Sequence, residues 1–211
     1  MKQIIITVDG PAASGKEKIS KYICRKWKFK HLDSGILYRR LAYIFMNDNV
    51  DISDNNNMIK KIKNINSFTY QKNKKIRTQE ISILASKIAV HKFVRDYINK
   101  LQRDFVYGNK KAKGFVIDGR DIGSVVFKKA NLKLYIEVNA EIRAKRRYKQ
   151  LIDSGEKSIY PKILKEIKLR DKKDINRINS PLVIPKDAYI IKNDLSFSKT
   201  VKEINKLIVK L

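Results

Sequence analysis

Ile4-Ile5-Ile6-Thr7-Val8-Asp9, followed at once by Gly10-Pro11-Ala12-Ala13-Ser14-Gly15-Lys16, is the stretch on which the architecture turns. The apolar β-branched run is short and uncharged up to Asp9, the pattern of a strand buried on both faces at the centre of a parallel sheet. A turn of small residues follows. From Lys16 the period becomes helical, with Ile19, Ile23 and Trp27 on one stripe and polar residues opposite. Strand, glycine-bearing turn and helix make half of a βαβ unit.

The turn has the spacing GxxxxGK. Glycines there let the chain curl until several backbone N–H groups point inward. The helix N-terminus adds partial positive charge, and the final lysine can reach outer phosphates. Gly10, Pro11, Ala12, Ala13, Ser14, Gly15 and Lys16 are therefore expected to bind nucleotide phosphates, against the bland alternative of an ordinary turn with a solvated lysine. The strict motif fails at its last position. Glu17 stands where a Ser or Thr hydroxyl usually helps hold Mg²⁺, and Lys18 follows. Glu17 either orders a metal-bound water or complements the helix N-terminus, and the second account is preferred. Both residues stay with the expected nucleotide-binding set, and no metal ligands are assigned.

Outward from this unit, Phe29 to Leu32, Gly114 to Asp118, Leu132 to Ile136 and Ala188 to Ile191 read as further strands. Helical spacing joins Leu37, Leu41, Ile44 and Phe45, and then Ile81, Leu84, Ala85 and Ile88 after Thr78. Further helices are expected over Lys92 to Phe105, from Asn139 as N-cap to about Leu151, over Lys162 to Arg170, and after Ser196. Val50 to about Lys75 is rich in Asn, Lys and Ile with little period beyond Met58, Ile59 and Ile62, and reads as a surface insertion. Strands alternating with helices predict an α/β fold with a parallel sheet. The expected organisation is one domain over 1–211, with an insertion at about 43–107 and a short lid at about 152–161.

The 211 residues carry 48 Lys and Arg against 21 Asp and Glu, a formal net charge of +27, and 43% are hydrophobic. That content supports a sizeable core and excludes a disordered tail or a disulfide mini-protein. The single cysteine, Cys24, cannot form an internal disulfide and fits a reducing compartment. The run from Met1 to Val8 is too short for a secretory leader, and no apolar run of about 18 residues offers a membrane span. A cytoplasmic, membrane-free monomer is expected. Lys, Asn and Ile are abundant together, as an AT-rich genome produces without selection for binding. The functional alternative is a positive field that concentrates polyanions. The basic residues are spread along the chain without a recognisable nucleic-acid motif, so no specific nucleic-acid partner is expected.

Polar residues gather at predicted strand ends: His31-Leu32-Asp33-Ser34-Gly35 with Tyr38-Arg39, and Asp118-Gly119-Arg120-Asp121. Strand ends are where α/β proteins bind ligands. Arg170, Asp174 and Arg177 share a face if their segment is helical, as do Arg143, Arg146 and Arg147. Solvated charge ladders are the competing reading of both sets. His31 and His91 lack partners at metal-ligand spacing and read as structural.

Taken in order, Asp9-Gly10-Pro11 with GxxxxGK, Leu32-Asp33-Ser34-Gly35 with Tyr38-Arg39, Arg77-Thr78-Gln79-Glu80, Asp118-Gly119-Arg120-Asp121-Ile122-Gly123 with Val125-Val126-Phe127, and Arg170, Asp174, Arg177 resemble the bacterial cytidylate kinases over nearly the whole chain. The resemblance implies a three-layer P-loop kinase fold with an NMP-binding insertion and an arginine-rich lid. It implies transfer of the ATP γ-phosphoryl group to CMP or dCMP with Mg²⁺. On this basis Ser34, Arg39 and Arg120 hold the CMP phosphate, Ser86, Arg95 and Arg177 face the cytosine, and Arg170 and Asp174 reach the sugar or nearby phosphates. Asp118 and Asp121 join the acceptor set, and Arg146 joins the ATP set. Lys16, Arg120, Arg147 and Arg170 are the expected catalytic residues. The insertion between Val50 and Arg77 is shorter than usual in the family, which bears on the choice between CMP and dCMP. The alternatives are a kinase of another small acceptor such as UMP or AMP, and a catalytically weakened P-loop protein that binds polyanions.

Overall fold

The structure is a computed structural model that describes residues 3–65, 74–153, 155, 157–194 and 196–211. The chain divides into two compact units, Met1–Leu32 with Asn109–Leu211, and Asp33–Gly108.

In the first unit the opening run forms β1 (Ile4–Asp9), and the helix after the glycine-bearing turn is α1 (Lys16–Trp27). β1 is the central strand of a sheet that also contains β2 (Lys30–Asp33), β3 (Gly114–Gly119), β4 (Leu132–Glu137) and β5 (Tyr189–Lys192), in the order β2-β3-β1-β4-β5. β1 runs parallel to both neighbours, pairing Val8 with Asp118 on one side and with Leu134 on the other, and β4 runs parallel to β5. The expected α/β architecture is therefore present. From β1 the chain passes to one side of the sheet, and from its neighbour β3 it passes to the other. That reversal is the point at which α/β sheets open a crevice beyond their strand ends.

Ile6 and Val8 of β1, Ile19 and Ile23 of α1, and Ile204 and Ile208 of α8 (Phe197–Ile208) lie in one buried core cluster, with α1 packed against β1 and α8 against β5. Ser196 caps α8 as expected, its hydroxyl accepting from the Lys199 N–H at 3.3 Å. Ala144 of α6 (Ala140–Asp153) clusters with Ile163 and Ile167 of α7 (Tyr160–Asn176). Helix α7 runs past the expected Arg170 end, carrying Arg170 and Asp174 on the helix and Arg177 at its C-cap. Within the expected lid, Ser154 and Glu156 lie outside the described residues. Cys24 is half-buried, and burial, reinforced by the Asp118 charge, pushes its thiol up to about 12.

The second unit contains α2 (Ser34–Asn47), α3 (Asn55–Lys63), α4 (Gln79–Ile88) and α5 (Lys92–Gly108). Leu41 and Phe45 of α2, Ile81 and Ile88 of α4 and Ile98 of α5 are buried, and α2 packs against α4 and α5. Helix α3 lies in the stretch read as an insertion with little period. Its apolar stripe is the short Met58, Ile59, Ile62 set, of which only Met58 is buried, and Asp54 caps its start by accepting from the Asn56 N–H at 2.7 Å. Residues 66–73 of the expected insertion lie outside the described residues.

One buried carboxylate joins the ends of β1 and β3. Asp9 is fully buried, and its Oδ1 and Oδ2 accept from the N–H groups of Ile122 and Gly123 at 2.8 and 2.7 Å. Those donors open a π-helical turn, Ile122–Val126, directly after the Asp118-Gly119-Arg120-Asp121 segment. A Cβ at Gly123 would stand 2.7 Å from Thr7 Oγ1 and 3.2 Å from Asp9 Oδ2, so the approach needs a glycine. Burial pushes the Asp9 carboxyl up to about 7, against the two N–H donors; Asp121 adds to the rise and Lys16 opposes it. Because this value lies above the ordinary 3.8, the native state binds more protons than the unfolded chain. The stability this group contributes is complete at acid pH and lost as pH rises through about 7. The difference in Tm between the protein and Asp9→Asn should therefore shrink from pH 5 to pH 8, and a gap that widened with pH would contradict this assignment.

Candidate active site

The loop between β1 and α1 is shaped by close backbone approaches. A Cβ on Gly10, at φ 152°, would lie 2.6 Å from the Ile136 carbonyl oxygen, and one on Gly15, at φ 85°, 2.7 Å from Asn193 Nδ2. Ala13 also takes the left-handed conformation, at φ 58°, without being glycine. Lys16 is buried and its Nζ donates to the Pro11 carbonyl at 3.0 Å, which curls the side chain back over the loop. The Ser14 hydroxyl is buried with no hydrogen-bond partner among the described residues. A tight glycine-shaped loop, an ammonium folded over it and the N-terminus of a twelve-residue helix form a cradle suited to polyphosphate.

The two residues that depart from the motif are engaged elsewhere. Glu17 pairs with Lys21 one turn along α1 at 2.5 Å, in the first helical turn, where a carboxylate complements the macrodipole. Lys18 Nζ sits 4.3 Å from the centroid of the Phe197 ring on α8. Neither supplies a hydroxyl to a metal, and among the described residues no group of three His, Cys, Asp or Glu side chains could hold one. The loop's donors thus suit phosphates, and the described residues form no protein cage for Mg²⁺.

After β3, Arg120 Nε donates to Asp174 Oδ2 at 3.0 Å, and Arg177 lies 3.6 Å from the other Asp174 oxygen and 3.9 Å from Asp121. Burial disfavours the Asp174 charge, but Arg120, Arg170 and Arg177 outweigh it and hold the carboxyl below its ordinary value. Asp174 thereby gathers three arginines, all in the expected acceptor set, around one carboxylate. His31, read as structural, has a carboxylate partner far along the chain. It lies 2.6 Å from Asp118 Oδ2, because the sheet order places β2 beside β3, an adjacency no local spacing announces.

The α6 arginines behave differently from one another. Arg147 is exposed. Arg146 Nη2 donates to the Asn193 carbonyl at 2.6 Å. Arg143, expected to share a helical face with them, is buried and bonded to Val138, Ala12 and Asp171, its guanidinium drawn under the loop. Sequence reasoning gave no role to Asn193 or Asp171, whose partners lie far along the chain.

In the second unit, Asp33 caps α2 by accepting from the Ile36 N–H at 3.3 Å, and Ser34 is buried in the first turn. Arg39 is half-buried on the same helix. Arg95 of α5 is buried, donates to the Ala89 carbonyl at 3.0 Å and lies 5.5 Å from the Tyr38 ring centroid. Ser86 is half-buried on α4. Among the described residues, no helix is long and apolar enough to cross a membrane.

Comparison with known proteins bears on this geometry. The sequence model of the family "Cytidylate kinase" matches residues 6–210. A cytidylate kinase from Rickettsia felis is 39% identical over 204 residues, covering 96% of this chain and 90% of that one. One from Bartonella tribocorum is 36% identical over 201 residues, covering 95% and 92%. A crystal structure from Thermus thermophilus shares the fold at a TM-score of 0.56 and 13% identity, covering 100% of this chain and 99% of that one. With its loop at the end of the central strand and a match running almost end to end, the chain belongs to the cytidylate kinase family.

Proposed function

We propose that this protein transfers the γ-phosphoryl group of ATP to CMP or dCMP, giving ADP with CDP or dCDP, and that it works in the cytoplasm. The observation that carries the reading is the family match over residues 6–210, which includes both the phosphate loop and the Asp118–Asp121 segment. It does not favour another acceptor or a purely polyanion-binding role.

Phosphoryl transfer asks a protein chiefly to align the acceptor oxygen with the γ-phosphorus and to neutralise charge on the equatorial oxygens. Backbone N–H groups from Gly10 to Lys16, with the Lys16 ammonium, would hold the donor phosphates. The acceptor set carried over from the family's motifs is Ser34, Arg39, Ser86, Arg95, Asp118, Arg120, Asp121, Arg170, Asp174 and Arg177. Arg147 and Arg170 would add positive charge during transfer, and the segments 43–107 and 152–161 would serve as acceptor insertion and lid. Mg²⁺, a cation that keeps most of its water and phosphate ligands and needs few from the protein, would arrive with the nucleotide and add charge neutralisation at its phosphates.

No covalent nucleophile is required, since the CMP phosphate is already anionic. Asp174 is bound to arginines and Asp118 faces His31, so both act as positioning groups in this reading and neither as a general base. A cytosine pocket must offer acceptors to the exocyclic amine, where uracil would present an oxygen and leave buried polar groups unpaired.

Two assays test the reading. Arg39→Ala and Arg120→Ala should each lower kcat/KM for CMP on the order of a hundredfold while remaining folded, the scale of losing one oriented charge donor. Wild-type-like turnover in either would remove that residue from the acceptor set. Across CMP, dCMP, UMP and AMP, the cytosine nucleotides should lead by at least about tenfold, the discrimination a buried polar mismatch imposes. Equal use of UMP would contradict cytosine recognition.

A further inference from the structure

The phosphate loop is gripped from outside by two side chains that are themselves locked. Arg143 on α6 is 4% exposed, and its Nε donates to the Val138 carbonyl at 2.9 Å. Its Nη1 donates to the Ala12 carbonyl at 3.1 Å, while Nη1 and Nη2 form a two-pronged pair with Asp171 of α7 at 3.1 and 2.6 Å. Asn193 is 6% exposed, and its Nδ2 donates to the Ser14 carbonyl at 2.8 Å. The Asn193 amide oxygen accepts from Thr200 Oγ1 at 3.0 Å, its N–H donates to the Glu137 carbonyl at 3.0 Å, and its carbonyl accepts from Arg146.

These contacts have a consequence for the opposite face of the loop. A trans peptide points its C=O and N–H in opposite directions, and the described chain contains no cis bond. Drawing the Ala12 carbonyl toward Arg143 turns the Ala13 N–H the other way. Drawing the Ser14 carbonyl toward Asn193 does the same for the Gly15 N–H. An anion cradle requires N–H groups aimed away from the body of the protein with no internal partner. The left-handed Ala13, between the two gripped carbonyls, is a conformation that persists where the surroundings over-determine it.

We propose that Arg143 and Asn193 are positioning residues for the donor nucleotide: by holding the carbonyls of Ala12 and Ser14 they pre-orient the N–H groups of Ala13 and Gly15 toward the phosphates. The inference rests on reading the loop as the ATP site. Lysine cannot reproduce the Arg143 role, because one ammonium does not match the fork that joins a carbonyl to a carboxylate. Through Asp171 the same guanidinium ties the loop to α7, which carries Arg170 and Asp174.

The test measures KM for ATP and for CMP, the Kd of ATP by calorimetry, and Tm, for the full chain and for Arg143→Lys and Asn193→Ala. Both variants should raise the KM and Kd of ATP at least tenfold while the KM of CMP stays within twofold. A purely structural role would lower Tm and leave ATP affinity within twofold of wild type, and that result overturns the proposal. Should Arg143→Lys not fold, Asp171→Asn, which frees one side of the fork, should still weaken ATP binding threefold or more, and unchanged binding overturns the Arg143 half. A wild-type protein that binds ATP but does not phosphorylate CMP would refute the proposed activity, while its calorimetric ATP affinity would still decide the grip.

Discussion

Backbone N–H groups that are to receive phosphate must be held without partners inside the chain, and the carbonyls behind them have to be satisfied instead. Most of the first unit can be understood from that constraint. The loop follows the central strand, so its base is set by pairing on both sides. Arg143, Asn193 and the curled Lys16 occupy the carbonyls of Ala12, Ser14 and Pro11. Asp9, the residue before the loop, spends both carboxylate oxygens on the turn after β3. The donor loop and the Asp118–Asp121 segment are thus tied at their roots by a buried charged group that costs more to ionise than an exposed one.

Electrostatics divides the many positive charges into two kinds. A net charge of +27 spread over the chain creates a general field for anions. A few arginines instead have their geometry fixed by carboxylates. Asp174 aligns Arg120 and Arg177, and Asp171 holds Arg143. Arg147 is exposed on α6. Carboxylates in this protein serve mainly to aim arginines and backbone donors, consistent with a reaction whose demands are alignment and charge neutralisation.

Local signals carried far. The β-branched run, the GxxxxGK turn and the amphipathic α1 were legible because each is defined by neighbouring residues, and the caps at Thr78 and Ser196 appear where their sequence context puts them. Helix α3 was not, since Met58, Ile59 and Ile62 make a stripe barely one turn long in a stretch of Asn and Lys. The expected phosphate-loop residues form a tight glycine-shaped turn, yet Asn193 and Asp171 gave no sign of their roles. Asn193 reaches Ser14 across 179 positions, and such a contact exists only after β5 joins the sheet. The partners of Arg143 were hidden for the same reason. Helical spacing places it on a face with Arg146 and Arg147, but which part of that face meets the body of the protein is decided by packing on α7 and the loop.

The central claim is that one chain moves a phosphoryl group between two nucleotides without parking it on itself or losing it to water. The most direct measurement follows the label from ATP carrying ³²P in its γ position when the purified protein is mixed with CMP and Mg²⁺. The account predicts that the label appears in the terminal phosphate of CDP, in step with ADP formation. Label recovered as inorganic phosphate, with CMP unchanged, would contradict it.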